Sequence, residues 1–141
     1  MADNIYNEVL IDHNLHPLHF HELPCATCSN AGINPSCGDQ LTLNLAIENG
    51  IITDGSYTGV GCAISNASAD IMLDLVIGRD VDEARHLTEL FSKMIGGGIT
   101  DAELDELEEA GALQNISKMP ARVKCAALGW KTLEKLLDQN R

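Results

Sequence analysis

The clearest pattern in the chain is an alternation of apolar and polar residues from Leu41 to Glu48. A period of two predicts a strand with one buried face. Asn49 and Gly50 follow, and this pair favours the two-residue turn of a β-hairpin because both residues accept a positive φ. A second strand is therefore predicted over about residues 51–58. A lone hairpin is marginally stable, which leaves room for one more strand upstream that the pattern does not locate.

Before the hairpin, the pattern predicts one short helix and a long loop. Apolar residues at helical spacing follow Asp3, a favoured N-cap residue, and indicate an amphipathic helix that stops before Pro17. The segment from His16 to Pro35 contains three prolines and no clear period. We predict that this segment is irregular.

After the hairpin, the apolar residues return at helical spacing four times. Thr100 and Glu103 have the spacing of a capping box and predict the start of a short acidic helix. The predicted helices run from Cys62 to before Gly78, over about residues 82–95, from Thr100 to about Ala110, and from about Pro120 onward. A hairpin followed by a block of helices indicates the α+β class, with a small antiparallel sheet packed against several helices. The length of 141 residues predicts a single domain over residues 1–141.

The net charge of the chain excludes some classes of binding partner. Acidic side chains number 21 against 9 basic ones, for a net charge of −12, and a phosphate backbone or an anionic membrane would repel such a surface. The charge serves solubility, or it meets a basic patch on a protein partner. The first residues carry no secretory signal, and no apolar run is long enough to cross a bilayer, so we expect a cytosolic protein without nucleic-acid or membrane partners.

Five cysteines in a cytosolic chain are expected to be metal ligands or reactive thiols rather than disulfides. Cys37 and Asp39 flank Gly38 just before the first predicted strand, and Cys62 follows the second one. Because a hairpin places the start of its first strand beside the end of its second, these three side chains are predicted to converge. Cys125, near the start of the last helix, can join them only through tertiary packing.

These four residues form a chemically plausible metal site. Thiolates suit zinc or iron–sulfur clusters, and Asp39 adds a harder, more easily displaced oxygen ligand. Four protein ligands close a tetrahedral zinc site and leave no position for a hydrolytic water. The alternative is that the cysteines are separate, buried and act as small apolar residues, and their spacing alone does not decide between the two interpretations.

Three sequence blocks resemble the IscU/NifU-N family, most closely its SufU branch. The blocks comprise residues 34–39 (NPSCGD), 59–65 (GVGCAIS) and 120–125 (PARVKC), and the resemblance spans essentially the whole chain. Two features favour SufU over the scaffold branch. Lys124 stands where scaffolds have a histidine, and residues 96–113 resemble an insertion typical of SufU.

The resemblance implies a SufE/NifU-like fold and a zinc-dependent sulfurtransferase for iron–sulfur cluster assembly. It implies that Cys37, Asp39, Cys62 and Cys125 are the zinc ligands and that Cys37 accepts persulfide sulfur. The implied donor is a cysteine desulfurase, a pyridoxal-phosphate enzyme. Arg122 matches a basic residue of the family motif, and Lys124 is a further accessory candidate.

Two other functions remain open from the sequence. The first is a scaffold on which an iron–sulfur cluster is assembled, since the same thiolates can hold iron. The second is a structural zinc domain that only binds partners.

Two further groups of residues call for interpretation, and the first of them departs from the family pattern. Cys25 and Cys28 form a CxxC pair, which indicates a redox pair, extra metal ligands near Cys37, or incidental thiols in a loop. Four histidines lie between residues 13 and 21, but their spacing is not that of a zinc site, which favours solvated or packing roles over a second metal site.

Overall fold

The structure, a computed structural model, describes residues 8–36 and 38–139. Its sheet has three antiparallel strands in the order β1 (Cys28–Asn34), β2 (Asp39–Glu48) and β3 (Ile51–Val60). The predicted hairpin is confirmed, and its turn residues Asn49 and Gly50 have φ values of 53° and 78°. The α+β class, with helices packed on a small antiparallel sheet, is confirmed as well.

The prediction of a loop from His16 to Pro35 was wrong in its second half, because β1 lies there. This strand is the third one for which the hairpin left room. Its sequence contains serine, asparagine, alanine and glycine, which have weak strand preference. β1 forms because the backbone of β2 supplies hydrogen-bonding partners along its length, with Cys28 opposite Leu45 and Asn34 opposite Asp39.

The helices lie before and after the sheet, and none in the described residues is long and apolar enough to span a membrane. They are α1 (Glu8–Leu15), α2 (Ala63–Val76), α3 (Val81–Ile95), α4 (Asp101–Glu106), a 3₁₀ helix (Glu108–Lys118) and α5 (Pro120–Gln139). The first helix stops before Pro17 as predicted, while its proposed cap Asp3 and first turn lie outside the described residues. The capping box of Thr100 and Glu103 is present.

The prediction that the acidic helix runs to about Ala110 was wrong. α4 ends at Glu106, and Glu108 adopts a positive φ of 49°, which an α-helix does not accommodate. The following segment buries one residue in every three: Leu107, Ala110, Leu113 and Ile116. A period of three is that of the 3₁₀ helix and not of the α-helix, so the apolar positions themselves select the tighter helix.

The core lies between one face of the sheet and the helices. Leu43 and Leu45 of β2 are fully buried, and α2 is buried along most of its length. α5 packs on α2 through a buried polar link, in which the Ser68 hydroxyl donates to the carbonyl oxygen of Ala126 at 2.6 Å. The same hydroxyl accepts from Trp130 Nε1 at 3.1 Å. The link fixes the position of α5 along α2, and Ala126 is the residue next to Cys125.

A buried histidine joins the N-terminal part of the chain to the core. His13 Nδ1 lies 2.6 Å from Asp70 Oδ2, and its Nε2 lies 3.3 Å from Glu109 Oε2. The other oxygen of Asp70 accepts from the backbone N–H groups of Leu18 and His19. Burial lowers the pKa of His13, but the hydrogen bonds and negative charges of Asp70 and Glu109 outweigh it, so the net shift is upward. His13 is therefore a packing residue tied to three segments.

Gly59, near the end of β3, allows β3 to lie close to Gln40 near the start of β2. Its φ is 126°, and a Cβ there would lie 2.1 Å from the carbonyl oxygen of Gln40. We expect Gly59→Ala to lower the free energy of unfolding by about 3 kcal/mol, because it adds backbone strain and a backbone clash. Gly98→Ala is the matched control, since a Cβ at Gly98 would contact nothing within 4 Å. Equal urea midpoints for the two variants would contradict this account.

The raised pKa of His13 predicts that stability depends on pH. A raised folded-state pKa contributes stability below the unfolded value of about 6.5, and this contribution is lost as the pH rises through the folded-state pKa. We expect the stability difference between the wild type and His13→Asn to be largest near pH 6 and to shrink toward pH 9. Urea unfolding across this range measures it. The exposed His16 supplies the control His16→Asn, which should leave the pH dependence unchanged. Parallel curves for the wild type and His13→Asn would refute the assignment.

Candidate metal centre

Three of the four residues predicted to bind metal meet at one end of the sheet. Asp39 begins β2, Cys62 is the N-cap of α2, and Cys125 lies in the second turn of α5. One ligand atom from each, a carboxylate oxygen and two Sγ atoms, lies within 4.8 Å of the others. Cys37 lies outside the described residues, and its neighbour Gly38 has a φ of 73°. The convergence follows from the hairpin for Asp39 and Cys62 and from helix packing for Cys125.

The carboxylate of Asp39 is buried and already held by two hydrogen bonds. Its Oδ1 accepts from the backbone N–H of Cys62 at 2.9 Å, which ties the start of β2 to the start of α2. Its Oδ2 accepts from Asn34 Nδ2 at 3.2 Å. Asn34 Nδ2 also lies 3.7 Å from Cys125 Sγ. A single amide group thus donates toward two of the three candidate ligands.

Asn34 is a further residue of the site, and the sequence pattern did not indicate it. It lies in the family block 34–39, but asparagine is not a usual zinc ligand, so its residue type does not indicate a role at a metal site. Asn34 is 4% exposed, and a buried amide needs hydrogen-bond partners. The signal in the sequence was the position of Asn34 beside the predicted ligands, which becomes informative only once β1 is known.

The two cysteines are held differently. Cys62 Sγ accepts from the backbone N–H of Ser65 at 3.4 Å, so the thiol caps a helix N-terminus, where negative charge is favoured. Cys125 is fully buried, and it is delivered by α5, which packs against α2, β1 and β2. Both side chains therefore stand on helices whose positions the core fixes.

This donor set suits a tetrahedral ion. With Zn–S distances near 2.3 Å, sulfur ligands on one zinc lie roughly 3.8 Å apart, so ligand atoms within 4.8 Å of one another need only small adjustments. The two sulfurs and one oxygen leave one position of a tetrahedron to fill, and Cys37 is two residues from Asp39. The role of the four residues as metal ligands remains a prediction.

The two accessory candidates lie on α5 beside this centre. Arg122 is half-buried and Lys124 is exposed. No ion pair within the described part of the chain involves either of them. Lys124 precedes the buried Cys125, and its side chain lines grooves on both sides of α5.

The CxxC pair is remote from the centre. Cys28 opens β1, whereas Asn34 closes it, so the interpretation of Cys25 and Cys28 as additional ligands near Cys37 was wrong. The two cysteines are not joined in a disulfide. Burial raises the pKa of the Cys28 thiol, which opposes thiolate chemistry. These observations favour the interpretation as incidental thiols.

The histidines of the N-terminal segment form no metal site among residues 8–36 and 38–139. His13 is buried against Asp70, and His19 lies 3.4 Å from Asp74. His16 and His21 are exposed. The preference for packing and solvated roles over a second metal site is consistent with these positions.

Comparison with known proteins identifies relatives of this chain by sequence and by structure. The family model described as NifU-like N terminal domain matches residues 5–126. The zinc-dependent sulfurtransferase SufU of Bacillus subtilis (strain 168) is 38% identical over 133 residues, covering 94% of this chain and 89% of that protein. The iron–sulfur cluster assembly scaffold protein IscU of Thermotoga maritima is 39% identical over 135 residues, covering 96% and 94%. A crystal structure of a candidate SUF-system scaffold protein (FiSufU) from Fervidobacterium islandicum AW-1 superposes with a TM-score of 0.88 at 33% identity, covering 94% and 96%.

Substitution of Asp39 separates its role as a ligand from its role in the fold. Asp39→Ala removes the acceptor of the Cys62 N–H and of Asn34 Nδ2, and unsatisfied buried donors cost about 1–3 kcal/mol of stability. Asp39→Asn keeps a carbonyl acceptor and should cost less stability. Both variants lack the carboxylate, so we expect both to bind zinc at least roughly 10-fold more weakly, because loss of an outer-shell partner alone costs about 10- to 100-fold. Competition with a chelator measures the affinity, and unchanged affinity in both variants would remove Asp39 from the site.

Proposed function

Because this chain belongs to the NifU-like N-terminal domain family, we propose that it is a zinc-dependent sulfurtransferase for iron–sulfur cluster assembly. It accepts persulfide sulfur from a cysteine desulfurase, and its zinc ligands are Cys37, Asp39, Cys62 and Cys125. The observation that carries the proposal is the convergence of Asp39, Cys62 and Cys125 directly beside the block that contains Cys37. The name of the B. subtilis relative supports the choice of activity.

Cys37 is the residue proposed to carry the sulfur. Its thiolate attacks the outer sulfur of the persulfide on the desulfurase cysteine, the S–S bond of that persulfide breaks, and the desulfurase cysteine leaves as a thiolate. Held by Cys37, Asp39, Cys62 and Cys125, a zinc ion would keep the ligand thiolates deprotonated and would lower their nucleophilicity while they are bound. Cys62 and Cys125 stand on packed helices, whereas Cys37 belongs to the segment between β1 and β2. Cys37 is therefore the thiol suited to exchange.

The surface around the site suits a protein donor of sulfur. Ile33 and Val60 are 64% and 76% exposed, and both pair with Gln40, the neighbour of Asp39. Two exposed apolar side chains on the strands that flank β2, next to a candidate metal centre, are surface that a partner would cover. We propose that the desulfurase docks over this end of the sheet.

The second candidate function is that of a scaffold for an assembling cluster. It is favoured by the T. maritima relative, whose name is that of a scaffold and whose identity to this chain is equally high. The two functions differ in what the protein binds. A sulfurtransferase purifies colourless with about one zinc ion per chain, whereas a scaffold loaded with a cluster is brown and contains iron and sulfide.

The test of the proposal is sulfur transfer to Cys37. The zinc-loaded protein is incubated with a cysteine desulfurase, cysteine and pyridoxal phosphate, and alkylated peptides are analysed by mass spectrometry. We expect one added sulfur on Cys37 and a faster desulfurase turnover. Cys37→Ser should abolish both effects, because serine keeps the size of the side chain but lacks a thiolate.

Cys25→Ser is the matched control, since Cys25 is an exposed thiol remote from the metal centre. It should leave the sulfur on Cys37 and the stimulation unchanged. Added sulfur on Cys125 or on Cys28, with Cys37→Ser still active, would overturn the assignment. Iron and sulfide in the purified protein, without any stimulation of the desulfurase, would favour the scaffold.

A further inference from the structure

A groove lies between the end of β1 and α5, beside the candidate metal centre. Its volume is about 270 Å³, and its walls are the end of β1, the next two residues and one side of α5. The lining residues are Ile33, Asn34, Pro35, Ser36, Lys124, Leu128 and Lys131. Ser36 directly precedes Cys37 in the chain, Lys124 precedes Cys125, and Asn34 donates to Asp39. The groove is thus connected to the metal centre through three of its lining residues.

The charge of this groove is opposite to that of the protein. The first 78 residues contain no lysine or arginine, and the whole chain carries a net charge of −12. The groove nevertheless has two lysines, Lys124 and Lys131, and no acidic residue in its lining. Arg79, Arg85 and Lys93 form ion pairs with acidic side chains. Among the residues that the structure describes, neither groove lysine does so, although both are exposed.

Unpaired lysines here have an electrostatic consequence. A zinc ion with three thiolates and one carboxylate carries a net charge of −2, which repels anions near the centre. Lys124 and Lys131 lie in a groove beside this centre, and their positive charges offset the repulsion of anions within the groove. The apolar side chains of Ile33 and Leu128 add a surface for a short carbon chain.

We propose that this groove binds a small thiol bearing carboxylates and presents it to the persulfide on Cys37; the inference rests on the proposed sulfur transfer. The thiolate of the small molecule attacks the outer sulfur of the Cys37 persulfide. The S–S bond of that persulfide breaks, Cys37 leaves as a thiolate, and the small molecule departs as a persulfide. No oxidant or reductant is needed, since the sulfur changes carriers at constant oxidation level. Lys124 and Lys131 bind the carboxylates of the acceptor.

The size of the groove supports a small molecule over a protein segment. Ligand pockets in proteins usually have volumes of about 300–1,000 Å³, and this groove lies just below that range. A thiol with one or two carboxylates fits it with both lysines engaged. An acidic peptide of a partner is the competing occupant, and the experiments below distinguish the two.

The first experiment compares acceptors of different charge. Protein whose Cys37 persulfide has been verified by mass spectrometry reacts with mercaptosuccinate or with the neutral monothioglycerol, and the small persulfides are trapped by alkylation. For the double variant Lys124→Gln/Lys131→Gln, we expect the rate constant with mercaptosuccinate to fall roughly tenfold, the size expected for two exposed charge pairs. The rate constant with monothioglycerol should change less than twofold. Lys135→Gln, an exposed lysine on α5 outside the groove, should match the wild type with both thiols.

A charge effect on the metal centre alone would give a different result. If the lysines only tuned the reactivity of the persulfide, the double variant would slow both thiols equally, and the proposal would be wrong. Equal rates in the wild type and the double variant would also overturn it. The comparison across two thiols therefore isolates binding of the carboxylates from a general effect.

The second experiment does not depend on sulfur transfer. S-methylmercaptosuccinate is a thioether that cannot react, and its binding to the zinc-loaded protein can be followed by NMR. We expect saturable shifts of the Ser36 and Leu128 amides that disappear in the double variant. If Cys37 never acquires a persulfide, the proposed function fails, while this titration still tests the groove. Shifts produced only by an acidic peptide, and not by the thioether, would assign the groove to a protein partner and refute the proposal.

Discussion

The hydroxyl of Ser68 fixes the position of α5 relative to α2. It donates to the carbonyl of Ala126 and accepts from Trp130, so it fixes α5 along α2 at one position. A hydrophobic interface alone tolerates sliding, because burial is not directional, whereas a buried hydroxyl with two partners does not. A slide of one turn would move Cys125 by about 5.4 Å, more than the spacing within the candidate metal centre. The candidate metal centre therefore depends on a polar contact made by Ala126, the residue next to Cys125.

The sequence predicted the elements with strong local signals and missed those that depend on neighbours. The alternation from Leu41 to Glu48 and the Asn49–Gly50 turn were sufficient for the hairpin. β1 was missed because its small and polar residues acquire strand geometry only from the ladder with β2. The 3₁₀ helix was missed because the capping box marks only where the acidic helix starts, and not the change to a 3₁₀ helix at Glu108.

The candidate site shows the same division. Asp39 and Cys62 could be brought together from hairpin topology alone, while the placement of Cys125 required the packing of α5 on α2. Asn34 could not be predicted as a site residue, because it contributes hydrogen bonds and not a metal ligand, and because its strand was not predicted. The similar identities to proteins named as a sulfurtransferase and as scaffolds show that overall identity does not separate these activities. The residues at and around the candidate metal centre have to distinguish a sulfurtransferase from a scaffold.

The position of the CxxC pair at the opposite end of β1 has a consequence for the proposed sulfur transfer. Six residue steps separate Cys28 from Asn34, and in a strand these span about 20 Å. A persulfide beside the metal centre therefore cannot be attacked by Cys28 of the same chain, since thiol–disulfide exchange requires contact between the sulfurs. The strand acts as a rigid spacer that keeps Cys28 away from the candidate metal centre. The thiols within reach of sulfur held there are those of the centre itself and those of another molecule.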